Sequence, residues 1–191
     1  MNLKTRYLGL ELRSPLVPSS CPLSEQAANL RKMEDAGAGA VVLHSLFMEQ
    51  LDREAKTLHH YLDRGTHSFA ESLTYFPTPQ EYHLGPGEYM EHVRRAKAAV
   101  GIPIIASLNG SAPGTWVKAA TEIEQAGADA LELNLYEIVA DLDTTGPQVE
   151  DRYLEVVREV RAAVKLPLAV KVSPYFSAPG QMMKRLVEAG A

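Results

Sequence analysis

An α/β fold built on a parallel sheet is what this sequence predicts, on three observations. Short, nearly continuous apolar runs alternate with segments of helical period, the pattern of strands buried on both faces and joined by crossover helices. The triplet Ala-Gly-Ala closes helical segments at 36–38, 126–128 and 189–191, and the first two run straight into a strand. Val100-Gly101-Ile102-Pro103 and Val164-Lys165-Leu166-Pro167 mark the alternate junctions, so the chain repeats one helix-and-strand unit.

The elements follow in order. Thr5–Leu8 and Leu10–Arg13 flank Gly9 as a short hairpin, and Pro15 leads into the apolar segment Leu16–Ser20. Ser24 is placed to cap a helix with the stripe Ala27, Leu30, Met33 and Ala36, ended by Gly37 in the left-handed region. Strands are expected at 40–44, 102–107, 130–135 and 167–172, making five with 16–20. Between them lie the stripes Tyr89-Val93-Ala96-Val100, Trp116-Ala120-Ile123 and Val149-Tyr153-Val156-Val160-Val164, with Met182-Met183-Leu186-Val187 last. Residues 49–64 are charged and helix-compatible, and 65–88 form a long Pro- and Gly-rich connection. Connections of that length in a compact domain are usually functional or disordered, and Phe69, Leu73, Tyr75 and Phe76 argue against disorder. An open doubly wound sheet also satisfies this pattern.

Composition narrows the function. A chain of 191 residues with 46% hydrophobic side chains suits one domain, 1–191. Nineteen basic against 24 acidic residues give net −5, unlike the basic surface of a nucleic-acid binder. No apolar run approaches the roughly 20 residues that cross a bilayer, and no signal-peptide core is present, so a cytoplasmic protein is expected. Cys21 alone permits neither an internal disulfide nor a cysteine zinc cage. The histidines lack a helical metal-ligand spacing, so no metal is expected. Gly85-x-Gly87-x-x-Met90 lacks the third glycine of a dinucleotide fingerprint.

Ligands of parallel βα folds lie at the carboxyl ends of the strands, and each strand turns polar there: Ser19-Ser20, His44-Ser45, Ser107 with Asn109, Asn134 followed by Glu137, and Lys171. Lys171 suits an anionic ligand or a reduced cofactor, or reaches solvent past the strand end. Asn134, on one strand face with Glu132, offers a donor and an acceptor, or is satisfied by a neighbour. His44 is a ligand contact or a core histidine. Ser20 and Ser107 read equally well as structural.

Three stretches resemble the soluble flavin-dependent dihydroorotate dehydrogenase family: Ser14-Pro15-Leu16-Val17-Pro18-Ser19-Ser20, Glu132-Leu133-Asn134-Leu135 and Ala169-Val170-Lys171-Val172-Ser173-Pro174-Tyr175. The resemblance implies a TIM-type (β/α)8 barrel with FMN at its carboxyl-terminal mouth. It also implies oxidation of dihydroorotate to orotate, with hydride passing to flavin N5 and a proton to a base. Ser19, Ser20, His44, Ser45, Asn109, Asn134 and Lys171 become the expected cofactor contacts. Glu71 and Asn134 become the expected substrate contacts, with Glu137 and Lys171 catalytic.

The departures from the family pattern lie mostly on the substrate side. His44 stands where the family has a lysine, and Glu137 where it has a cysteine or serine base. Glu71 and Val139 stand at asparagine positions. Another cyclic amide or ene substrate, or an inactive remnant, are therefore the alternatives. Five strands form part of an eight-stranded barrel, so the chain alone is expected to hold FMN poorly, and association into a homo-oligomer is one way to close it.

Overall fold

The computed structural model describes residues 2–47, 86–110 and 115–191. Segment 49–64, Glu71 and most of the 65–88 connection lie outside the described residues. The chain opens on the antiparallel pair β1 (Thr5–Tyr7) and β2 (Leu10–Leu12). Leu8 and Gly9 between them have φ of 51° and 74°, the signature of a two-residue turn whose twist matches a hairpin. A 3-10 turn (Pro22–Glu25) and helix α1 (Ala27–Asp35) follow. Then come β3 (Val41–Phe47), α2 (Pro86–Ala99), β4 (Ile104–Asn109), α3 (Thr115–Ala126), β5 (Ala130–Leu135), α4 (Gly146–Ala163), β6 (Leu168–Val172) and α5 (Pro179–Ala189).

Strands β3, β4, β5 and β6 form a parallel sheet in chain order. Connections of one hand, advancing always in one direction, carry every helix to the same side. One apolar cluster accordingly joins that side of the sheet (Val41, Ile104, Leu108, Leu131, Leu133) to Leu30, Val93, Ile123, Val157 and Met182, one from each of the five α-helices among the described residues. Each fully buried leucine or isoleucine there stabilises the fold by about 1.5–3 kcal/mol. The other face carries no described helix. At its amino edge Ala40, Val42, Ile105 and Ala130 pack with Leu12, Leu8, Leu10 and Val17, so the hairpin covers this end. A doubly wound sheet needs helices on both faces; this one is a section of a TIM-type (β/α)8 barrel.

Two expectations need correction. Segment 16–20 is not a strand of the ladder. It lies beside β3, and its Leu16 and Pro18 carbonyls accept from the Gly39 and Val42 amides at 2.7 and 3.0 Å. A parallel bridge at Val17 needs the next residue's N–H to return a bond to Gly39, and Pro18 has none. Ser24 does not cap α1. Pro22 starts a 3-10 turn first, and the Ser24 hydroxyl donates to the Cys21 carbonyl at 2.8 Å within it.

The register between β3 and β4 slips between Val42 and Ser45. This bulge has a consequence for every side chain after it, since one extra residue moves its successors to the opposite face. Tyr89 of α2, fully buried, closes the gap. Its hydroxyl accepts from the Ser107 amide at 3.0 Å and lies 3.0 and 3.1 Å from the His44 and Ser107 carbonyls, to which it donates.

Candidate active site

Beyond the bulge, the face that carries no described helix becomes polar toward its carboxyl edge. The registers place Ser45, Ser107 and Glu132 side by side, and Phe47, Asn109, Asn134 and Lys171 one step further along. Ser20, at the end of the flanking segment, joins the first row: its Oγ is 3.0 Å from Ser45 Oγ, which is 2.8 Å from Ser107 Oγ. Ser107 donates to Glu132 Oε1 at 3.1 Å, and Lys171 Nζ donates to the same oxygen at 3.0 Å. Asn134 Nδ2 donates to Ser45 and Ser107 at 3.1 and 2.9 Å.

Two properties mark this cluster as more than packing. Asn134 is 3% exposed, yet its Oδ1 has no partner among the described residues, and an unmade bond on a buried amide costs about 1–3 kcal/mol. The Lys171–Glu132 pair joins a side chain 43% exposed to one 13% exposed, and such half-solvated pairs return only about 0–1 kcal/mol. Neither the unpartnered oxygen nor the half-solvated pair adds much to stability. Together they place an ammonium and a buried, unpartnered amide oxygen on one sheet face, a donor and an acceptor that would complement a ring bearing a carbonyl beside an N–H. Tyr7 of the hairpin senses the same carboxylate: burial first, and the Glu132 charge second, raise its phenol above the ordinary value.

The structure therefore brings together Ser20, Ser45, Asn134 and Lys171, with Asn109 half-buried in the Asn134 row. It does not bring His44 to them. Alternation from Ala40 and Val42 predicts His44 on this face, but the bulge turns it to the helix layer. There its ring lies 5.2 Å from Tyr89 and 5.1 Å from His92. Burial, then the neighbouring His92, lowers the His44 pKa below its usual value, with Glu25 opposing. Ser19 is exposed.

Glu137 lies past the end of β5, and Arg152 of α4 engages both of its oxygens, at 2.6 and 3.3 Å. It borders a cavity of about 480 Å³ lined by Trp116, Leu135, Tyr136, Arg152 and Tyr153. Leu135, Trp116 and Tyr153 belong to the helix-side core, and Ser20, Ser45, Ser107, Asn134 and Lys171 are not among the residues that line this cavity. Sequence reasoning passed over Glu132 as a site residue, although its two-residue offset from Asn134 was the available signal. Tyr89 and Arg152 had none, because helix residues show their long-range partners only in three dimensions.

The comparisons agree with this architecture. The chain is 28% identical over 186 residues to the dihydroorotate dehydrogenase B (NAD(+)) catalytic subunit of Thermoplasma acidophilum, covering 92% of this chain and 56% of that protein. It is 31% identical over 171 residues to the subunit of the same name from Methanosarcina acetivorans, covering 87% and 51%. The chain thus spans about half the length of the curated relatives it matches. No protein-family model matches it. Among solved structures, the dihydrodipicolinate synthetase-like protein of Pseudomonas aeruginosa superposes with a TM-score of 0.54 at 16% identity, over 91% of this chain and 51% of that one. A dihydrodipicolinate synthase family protein from Coccidioides immitis gives 0.53 at 14% identity, over 91% and 48%. At such identities those two speak to the fold alone. By sequence, the chain is similar to the dihydroorotate dehydrogenase B catalytic subunits over about half of their length.

Proposed function

We propose that this chain forms the cofactor-facing part of an FMN-dependent oxidoreductase acting on dihydroorotate or a closely related cyclic amide. The observation that carries the reading is the buried, unpartnered Oδ1 of Asn134 on the same face as the Lys171 ammonium. An isoalloxazine has an imide N–H between two carbonyls, so an acceptor and a cation on one face fit that ring. FMN, when bound, takes up the hydride.

This chain's own residues do the rest. Asn134 would accept from the N–H of such a ring and so help to orient it. Lys171 places positive charge where negative charge grows on the reduced ring, a preorganised stabilisation that needs no rearrangement. Ser20 and Ser45 supply hydroxyls beside it. Glu137 is the proton acceptor of this reading and must leave Arg152 to act. That pairing favours a second reading, in which the substrate is another cyclic amide or ene compound whose proton goes elsewhere. The experiment is anaerobic mixing of the FMN-loaded protein with dihydroorotate and with dihydrouracil. Bleaching by dihydroorotate supports the first reading, bleaching by dihydrouracil alone the second, and neither would overturn both.

A further inference from the structure

Counting protons around the serine cluster assigns a role to Glu132. A serine hydroxyl has one proton to give and two lone pairs to accept with. Glu132 Oε1 accepts from Lys171 and, at 3.1 Å, from Ser107, so the single Ser107 proton is committed to the carboxylate. The 2.8 Å contact between Ser45 and Ser107 then requires Ser45 to donate, and the 3.0 Å contact between Ser20 and Ser45 requires Ser20 to donate. All three hydroxyl protons run one way, toward Glu132.

The direction of the chain also fixes an amide. Ser107 and Ser45 have spent their protons, so the Asn134 atom lying 2.9 and 3.1 Å from them has to be a donor. With both Nδ2 protons used, Oδ1 is the atom left with an unused acceptor. Reversed, Asn134 would leave Nδ2 bare and oppose two lone-pair-bearing oxygens with a third. Aligned hydrogen bonds polarise one another, which strengthens the preference.

We propose that Glu132 is a positioning residue: by ending the one-way chain Ser20–Ser45–Ser107 and holding Lys171, it commits Asn134 to present an acceptor. The site thereby selects a ligand that brings an N–H to this point. The relevance to a flavin rests on the function proposed above, but the amide orientation is readable without any ligand.

The test follows the Asn134 side-chain NH2 in the 15N-labelled full chain, identified by its loss in Asn134→Ala. Its protons should exchange slowly in the wild type and in Lys171→Arg, which keeps the ion pair. Glu132→Gln can donate to Ser107 and so release the chain's direction. Trading a charge-assisted acceptor for a neutral one should raise NH2 exchange about tenfold, with β5 backbone protection retained. Ser107→Ala, which keeps the charge but removes both the link and one of the two acceptors of Asn134, should raise exchange at least as much. Unchanged NH2 exchange in either variant overturns the assignment, as does loss of β5 backbone protection in both. Adding FMN to the wild type separates the two claims. Unmoved Asn134 resonances would count against the flavin reading while the protection pattern still decided the role of Glu132.

Discussion

The Tyr89 hydroxyl stands 3.0 Å from the Ser107 amide nitrogen, in the gap opened by the β3 bulge. A helix side chain thus stands in for a missing rung of the sheet, and its three partners are backbone groups of His44 and Ser107, on the strands that carry the site. Ser45 reaches the polar face because this bulge exists. Tyr89→Phe should leave buried backbone groups of His44 and Ser107 unpaired and cost about 1–3 kcal/mol. Urea denaturation reads this directly. A loss below the error of the method would mean the bulge holds without the hydroxyl.

Gly39 is a second fixed point. A Cβ there would come within 2.1 Å of the Ser14 carbonyl oxygen, and a backbone atom cannot rotate away. Gly39→Ala should push the flanking segment off β3 and carry Ser20 with it. Overpacking typically costs about 1–3 kcal/mol. Thermal unfolding checks the cost, and a Tm equal to that of the wild type would contradict the close approach.

His44 and His92 make the fold acid-sensitive. Burial comes first among the causes that lower each, and both lie below the ordinary 6.5. Below that value the unfolded chain binds protons that the folded chain refuses, so stability is complete above pH 6.5 and falls as the pH drops toward the folded values. Neither ring nitrogen of His44 has a partner among the described residues. His44→Phe should therefore flatten the decline in Tm between pH 7 and pH 5 (round values on either side of the histidine range). It should also leave FMN affinity unchanged, because the ring belongs to the helix layer. Weaker FMN binding in this variant would return His44 to the site.

Lys171→Ala should slow flavin reduction by about 10²-fold, the scale of losing one electrostatic stabiliser. Stopped-flow absorbance under anaerobic conditions measures it. Lys171→Arg should recover part of the loss. An unaltered rate in the alanine variant would remove the ammonium from the chemistry.

Much of this architecture is legible in the letters. The apolar runs at 102–107 and 130–135 and the stripes through Trp116 and Tyr153 point to strand and helix, because burial on both faces and a 3.6-residue period leave few alternatives, although the first of these strands itself runs two residues later, over 104–109. Lys171 and Asn134 stand out for the same reason, as polar residues on apolar strands. What the letters hide is any slip in register. Ala40, Val42 and His44 alternate perfectly, and nothing in the sequence announces the extra residue that exchanges His44 for Ser45. Pro18 does announce why segment 16–20 fails to join the ladder, once its missing N–H is matched to the Gly39 carbonyl. The pairing of Glu137 with Arg152 spans a loop and the first turns of α4, and such contacts depend on packing that local pattern does not encode.

FMN titration of the full chain, followed by flavin fluorescence, tests the central claim most directly, with Asn134→Ala in parallel. The account predicts that the wild type quenches FMN with a dissociation constant no weaker than about 1 mM, and that losing the amide weakens binding about tenfold. Equal binding by both proteins, or no quenching by the wild type at that concentration, would contradict a flavin site on this face of the sheet.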